Sequence, residues 1–200
     1  MSVHTLNDLE CVSKDCVKCL FADGASFYLR LSYLDHLSVD DVAPGIELSD
    51  EDFADFIQAG DAFLAEKNAV KYLAGREHSR GQLRLKLIKK SHSDEAVEKV
   101  LDYLEREGWL SDCRFAEEWL RCRGLKHFEG RTKLVAELRS RGVSKTLADE
   151  AVERFFQDTP EEVQLEKAYK KLSEQGKCGE KLIKALIRLG FSNKIIRKLV

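Results

Sequence analysis

Six cysteines are the residues of this 200-residue chain whose chemistry is easiest to imagine. Cys16 and Cys19 form a C-x-x-C, with Cys11 upstream. A zinc site or a redox dithiol of this type needs further ligands at close spacing. Cys113, Cys122 and Cys178 lie far apart and fit no ligand spacing. Cys16 and Cys19 also fall in a run with strand character, where residues three apart point to opposite faces. Reduced, partly buried thiols are expected, and no metal. Other signatures are missing. The chain has no G-x-x-x-x-G-K-S/T phosphate loop, no G-x-S-x-G and no H-E-x-x-H. His4, His36, His78, His92 and His127 are scattered, with His78 and His92 in polar, loop-like contexts. Glu117-Glu118 and Glu161-Glu162 are neighbours on expected helices and cannot face each other. No catalytic residue and no cofactor is expected.

Charge is the other carrier of function. The net charge of −2 conceals an asymmetry. Residues 1–65 hold three basic side chains against thirteen acidic ones, a formal −10, and the remainder holds 30 against 22, a formal +8. The basic groups gather in three places. Arg76, Arg80, Arg84, Lys86, Lys89 and Lys90 surround one expected helix. Arg121, Arg123 and Lys126 precede a second, which carries Arg131, Lys133, Arg139 and Arg141. Lys177, Lys181, Lys184 and Arg188 belong to a third. Such a track could follow a nucleic-acid backbone or a row of acidic patches on a polymeric partner. The plainer reading is a set of well-solvated helix faces. Among aromatic residues that could stack on bases, Trp119 and Tyr169 sit at core positions, whereas Phe128, before Gly130, is expected in an exposed loop.

The elements that position these cations are written in a repeat. Leu-x-x-x-Leu is followed, counting from the second Leu, by a turn residue at +4 and Ser at +6. The copies are Leu83, Leu87, Ser91, Ser93; Leu134, Leu138, Gly142, Ser144; and Leu182, Leu186, Gly190, Ser192. They recur at offsets of 51 and 48 residues, which suits about three short helices per unit. Ser93, Ser144 and Ser192 are expected N-caps, and Ser79-Arg80-Gly81-Gln82 reads as a capping box. Pro160 breaks the helical pattern between the second and third copies. Upstream, Cys16–Phe21 and Ser26–Leu31 alternate as two strands of a hairpin turning at Asp23-Gly24. Tyr33 to Leu37 suggests a short helix and Pro44-Gly45 a turn. Ser49-x-x-Asp52 opens a helix with Phe53, Phe56 and Ile57, and Gly60 separates it from the repeats. Phe63, Leu64, Ala69, Val70 and Leu73 then form one buried stripe.

The expected fold is mainly α: three tandem three-helix repeats in an elongated curved array, preceded by an N-terminal β-hairpin and short helices. The divisions are an acidic N-terminal extension over 1–60 and repeats over 61–108, 109–158 and 159–200. No apolar run reaches the roughly 18 residues needed to span a bilayer. The first five residues do not read as a secretory signal, so a cytoplasmic location is expected.

Arg76-Glu77-His78-Ser79-Arg80-x-x-Leu83 resembles the first-repeat signature of the RecX family, regulators of the RecA recombinase. Gly108-Trp109-Leu110-Ser111-Asp112-x-x-Phe115-Ala116 looks like the family's junction between repeats one and two. Glu137-Leu138-x-x-x-Gly142-Val143 and Leu186-x-x-x-Gly190-Phe191-Ser192 resemble its later turns. The hairpin and Pro44-Gly45-x-Glu47-Leu48-Ser49 are similar to an extension that some members carry. There are departures. Ser91-His92 stands where the other copies have Gly followed by an apolar residue, and Arg131 stands where a proline is expected after Gly130. The resemblance implies a non-enzymatic monomer acting in DNA repair, homologous recombination and the SOS response. It implies binding along the RecA filament groove, most simply to inhibit growth, ATPase and strand exchange. Single- or double-stranded DNA is a further implied partner, and a direct DNA-binding repeat protein is the alternative. No family motif marks contact residues, so the basic side chains above are the candidates on charge alone.

Overall fold

A computed structural model describes residues 4–13, 15–37 and 41–199. Residues 1–3, Lys14 and Asp40, used above in reading the N-terminus and its charge, lie outside these. The chain packs as two compact units, Met1–Arg76 with Leu83–Trp109, and Glu77–Gln82 with Leu110–Val200.

The first unit opens with an antiparallel sheet: β1 (His4–Cys11), β2 (Cys16–Phe21), β3 (Ser26–Arg30) and β4 (Glu47–Leu48), in the order β3-β2-β1-β4. The expected hairpin is β2–β3. Gly24 at φ 87 makes its turn, and the Asp23 carboxylate accepts from the Ala25 amide at 2.9 Å. Val17, Cys19 and Phe21 alternate into the core, as does Leu29. Strand β1 escaped the sequence reading because it is mostly polar, with only Leu6 fully buried. Its place comes from ladder bonds to β2 and β4, which no local pattern announces.

Helix α1 (Asp50–Gly75) lies against this sheet. Ser49 and Asp52 form a full capping box at its start. The Phe21 ring meets Phe53 and Phe56 edge-on, with centroids 5.2 and 5.8 Å apart. Gly60 does not end a helix; α1 runs through it without a break. Its role is close approach: a Cβ there would lie 2.9 Å from the Phe27 ring. The expected buried stripe is also narrower, because Leu64 is 56% exposed; Ile57, earlier on the helix, is 48% exposed. Where a short helix was expected near Tyr33, the chain makes one 3-10 turn over Leu31–Tyr33. The following loop is held by Asp55, which is buried in α1 and accepts from the amides of Asp35 and His36 at 2.9 and 3.0 Å. Arg30 reaches from the sheet to buried Glu66 on α1 with two hydrogen bonds of 2.5 and 2.6 Å, and the Tyr33 hydroxyl donates to the same carboxylate. Helices α2 (Arg80–Ile88) and α3 (Asp94–Arg106) contribute Leu83, Leu87, Val97, Val100, Leu101 and Leu104, all fully buried.

The second unit holds α4 (Asp112–Lys126), α5 (Arg131–Arg139) and α6 (Lys145–Asp158), then α7 (Glu161–Glu174), α8 (Gly179–Arg188) and α9 (Asn193–Leu199). Each trio has its own apolar cluster. Leu120, Leu134, Leu138 and Val152 centre the first, and Leu165, Leu182, Leu186 and Ile196 the second. Trp119 and Tyr169 pack against these clusters as expected. Phe128 is a correction: it too packs on the second cluster, with the Lys167 and Lys171 ammonium groups 5.8 and 5.7 Å from its ring centre. Ser93 and Ser144 cap α3 and α6 through their hydroxyls, and Ser111 does so for α4. At α9 the Ser192 carbonyl accepts from Ile195 and Ile196. Pro160 is the N-cap residue of α7.

Candidate functional site

The second unit contains one piece of local geometry twice. Residues 77–82 include the first turn of α2, which rests on the turn after α5. Ser79 Oγ donates to the Arg141 carbonyl, and a Cβ added to Gly81 would lie 2.9 Å from the Gly142 Cα. The Arg80 amide donates to Asp112, in the first turn of α4, at 2.7 Å. One copy later, the Gly130 amide donates to the Leu189 carbonyl at 2.8 Å and Thr132 to Gly190 at 3.3 Å. A Cβ on Gly130 would lie 2.5 Å from the Gly190 carbonyl carbon. The Arg131 amide donates to Glu161, in the first turn of α7, at 2.9 Å. In both junctions a middle helix starts on the next copy's glycine turn, and a carboxylate from that copy satisfies an orphan amide at its N-terminus.

This geometry bears on the positions singled out in the sequence. Proline at 131 would lack the N–H that Glu161 accepts. Glycine at 142 and 190 serves both a φ near 90° and backbone contact. Ser91 takes the corresponding turn at φ 64. Its neighbour His92 does not sit in an open loop: its side chain is 8% exposed, with Nδ1 2.6 Å from Asp61 and Nε2 3.0 Å from Asn68 on α1. Burial raises the Asp61 carboxyl, but the bonds to His92 and Ser93 outweigh it and hold the group below its ordinary range. His78 is likewise buried, 3.4 Å from Gln82, so Gln82 faces His78 while its own amide donates to Ser79 Oγ.

The expected cations fall into two sets. Several are committed to neighbours. Arg84 bonds Asp94 and Glu98 at 2.6 and 2.7 Å, and Lys86 sits 4.3 Å from the Tyr72 ring centre. Arg123 and Lys133 clamp Glu129 at 2.7 and 2.8 Å. Glu129 is only 3% exposed; burial raises its carboxyl, yet the two cations pull it below the usual carboxylate range. Arg131 bonds Glu153 at 2.5 Å and covers Phe156 at 5.1 Å. Arg141 bonds Glu137 at 2.6 Å and covers Trp119 at 4.8 Å. Arg121 and Lys184 make exposed pairs with Glu118 and Glu180, both worth little in water. Arg80 is half-buried at the first junction.

The second set is exposed. In the first unit these are Arg76, Lys89 and Lys90; in the second they are Lys126, Arg139, Lys177, Lys181 and Arg188. Among the described residues no ion pair holds any of them. Lys89, Arg139 and Arg188 stand at or just past the C-terminal end of α2, α5 and α8. Cations there offset the helix dipole and still face solvent. The pairs Lys133–Glu129, Arg141–Glu137 and Lys184–Glu180 were legible as i,i+4 spacings. The partners of Arg84 and Arg131, ten to thirty residues away, were not.

The thiols do not gather. Cys16 and Cys19 are buried, and burial pushes Cys19 up to about 12. Cys113 lies 3.3 Å from an Arg154 guanidinium nitrogen, and Cys11, Cys122 and Cys178 are exposed. Among the described residues no three His, Cys, Asp or Glu side chains are grouped to hold a metal ion, and no helix is long and apolar enough to cross a membrane.

Comparison with known proteins adds the following. The RecX first three-helix domain matches residues 65–104, and the RecX second three-helix domain matches residues 111–152. The regulatory protein RecX of Treponema pallidum (strain Nichols) is 36% identical over 154 residues, spanning 77% of this chain and 94% of its own. That of Prosthecochloris aestuarii (strain DSM 271 / SK 413) is 36% identical over 142 residues, spanning 69% and 92%. A crystal structure of regulatory protein RecX, 19% identical, shares the fold with a TM-score of 0.74 over 97% of each chain.

Proposed function

Because this chain belongs to the RecX family of regulatory proteins, we propose that it regulates RecA by lying along the groove of the RecA–DNA filament and limiting its growth. ATP hydrolysis and strand exchange fall as a consequence. The contacts come from modules over 61–108, 109–158 and 159–200. The observation that carries this reading is the recurrence of an unpaired cation at the end of each middle helix, as Lys89, Arg139 and Arg188. A polymer of identical protomers offers the same acidic patch once per subunit. Modest contacts repeated along one chain then add through effective concentration. Arg123, Arg131, Lys133 and Arg141 serve the fold instead, since using them would strip Glu129, Glu153, Glu161 or Glu137 of their partners.

The test is the single-strand-dependent ATPase of RecA with substoichiometric protein added. Hydrolysis should fall; an unchanged rate across the titration rules the reading out. Neutralising Lys89, Lys90, Arg139 and Arg188 together should weaken inhibition and lower the melting temperature by only a few degrees, because these exposed side chains contribute to stability through the helix dipoles alone. Direct competition for the strand would show instead as affinity for DNA alone that weakens steeply with salt.

A further inference from the structure

The sheet of the first unit has two edges, and they are treated differently. One ends in β4, only two residues long. Short edge strands are one of the ordinary ways to prevent unwanted pairing. The other ends in β3, five residues reading Ser26-Phe27-Tyr28-Leu29-Arg30. It has no proline, no bulge on its pairing with β2, and its central outward residue is aromatic.

The ladder fixes which groups β3 turns outward. Leu31 N–H donates to the Asp15 carbonyl and Phe21 N–H to the Ala25 carbonyl. With the register Val17–Leu29 and Cys19–Phe27, the main-chain groups of residues 25, 27, 29 and 31 face β2. Those of Ser26, Tyr28 and Arg30 therefore face away from the sheet.

Beside that edge runs a groove of about 470 Å³ between β3 and α1. Its walls are Tyr28 from the strand and Ile57, Phe63 and Leu64 from the helix. Tyr28, Ile57 and Leu64 are 41%, 48% and 56% exposed. Phe27 and Gly60 also line it, and a Cβ on Gly60 would lie 2.9 Å from the Phe27 ring. Lys67 stands at its end, its ammonium 5.1 and 5.0 Å from the Tyr28 and Phe63 ring centres. Asp61, the lining acid, is already bonded to His92 and Ser93.

We infer that the outer edge of β3 and this groove take up an extended segment of a partner protein, added to the sheet as a further strand. Such a segment pairs its main chain with Tyr28 and sends alternate side chains into the groove. Those side chains are apolar against Ile57 and Leu64, and the next on the same face is a carboxylate meeting Lys67. Strand addition is a general mode of peptide recognition, with main-chain bonds supplying affinity and alternate pockets specificity. A polyanion does not suit the place: one lysine serves the groove, and the surrounding residues 1–65 carry a formal −10. The same charge opposes pairing with a second copy, which would bring two such segments together.

The test uses the full chain and a fluorescein-labelled peptide, Gly-Val-Thr-Val-Thr-Glu-Lys-amide, followed by anisotropy. Saturable binding is expected, and it should be lost on Leu64→Glu, a change at an exposed site. Two further peptides carry N-methyl groups on the valines or on the threonines, so that each blocks one main-chain edge. One should bind about tenfold more weakly and the other nearly unchanged. Three results would each overturn the inference: no saturable binding, binding that survives Leu64→Glu, or equal loss with both methylated peptides. Light scattering that shows a dimer abolished by Leu64→Glu would assign the edge to a second copy and overturn it as well. None of these readouts involves RecA, so their failure is separate from any failure of the regulatory reading.

Discussion

Replacing Gly130 by Ala tests whether the paired junctions hold the second unit together. Gly130 has φ −83 and ψ 168, an extended conformation that alanine adopts readily. Any loss must therefore come from space. The new Cβ would stand 2.5 Å from the Gly190 carbonyl carbon and oxygen and 2.6 Å from the Phe191 nitrogen, all backbone atoms. Ordinary contact begins near 3.4 Å, so the two segments must part by most of an ångström. That separation breaks the 2.8 Å bond from Gly130 to Leu189 and the 3.3 Å bond from Thr132 to Gly190. Each bond is worth about 1 kcal/mol, and overpacking adds about 1–3 kcal/mol. A total of about 3–5 kcal/mol lowers the melting temperature by about 6–20 °C at this chain length. Calorimetry reads the shift, and amide exchange at Gly130 and Thr132 should accelerate with it. Gly108→Ala is the contrast: its φ is 71 with open space around it, so only backbone strain of about 1–2 kcal/mol is expected. A Gly130→Ala protein that melts with the parent and keeps those two amides protected would refute the junction as described.

Other outcomes follow from the same structure. Arg30→Met should cost about 4 kcal/mol in urea unfolding, because Glu66, with its side chain 7% exposed, keeps only the Tyr33 hydroxyl and a buried charge. The double change to Met at 30 and 66 should recover most of that loss. Glu129 makes the fold acid-sensitive: its folded carboxyl lies below the usual range, so its contribution is present above the ordinary carboxylate value near pH 4.3 and is lost as pH falls through the lowered value. Glu129→Gln should flatten the acid limb of the stability curve measured between about pH 5 and 2. Gly75→Ala, with nothing within 4 Å and an unstrained backbone, should raise stability by about 0.5–1 kcal/mol, read as a higher urea midpoint.

The helices of the repeats were readable because what makes them is local. Leucines four apart share a helix face, and the hydroxyls of Ser93, Ser111 and Ser144 cap amides three residues on. The i,i+4 pairs of Arg141 and Lys133 obey the same short range. Tertiary structure decided everything that depends on partners distant in the chain. A polar β1 becomes a strand only through β2 and β4, since ladder bonds carry no local signature. Gly60, which reads as a helix end, lies in a helix interior, where its missing Cβ leaves room for the Phe27 ring. Burial of His78 and His92 was hidden for the same reason, their neighbours being polar in sequence and packed in space. The charge count set out seventeen candidate cations; only the folded neighbours separated those committed to other groups from those left facing water. An ion pair between residues ten to thirty apart is a property of packing, and packing is written across the whole chain rather than along any stretch of it.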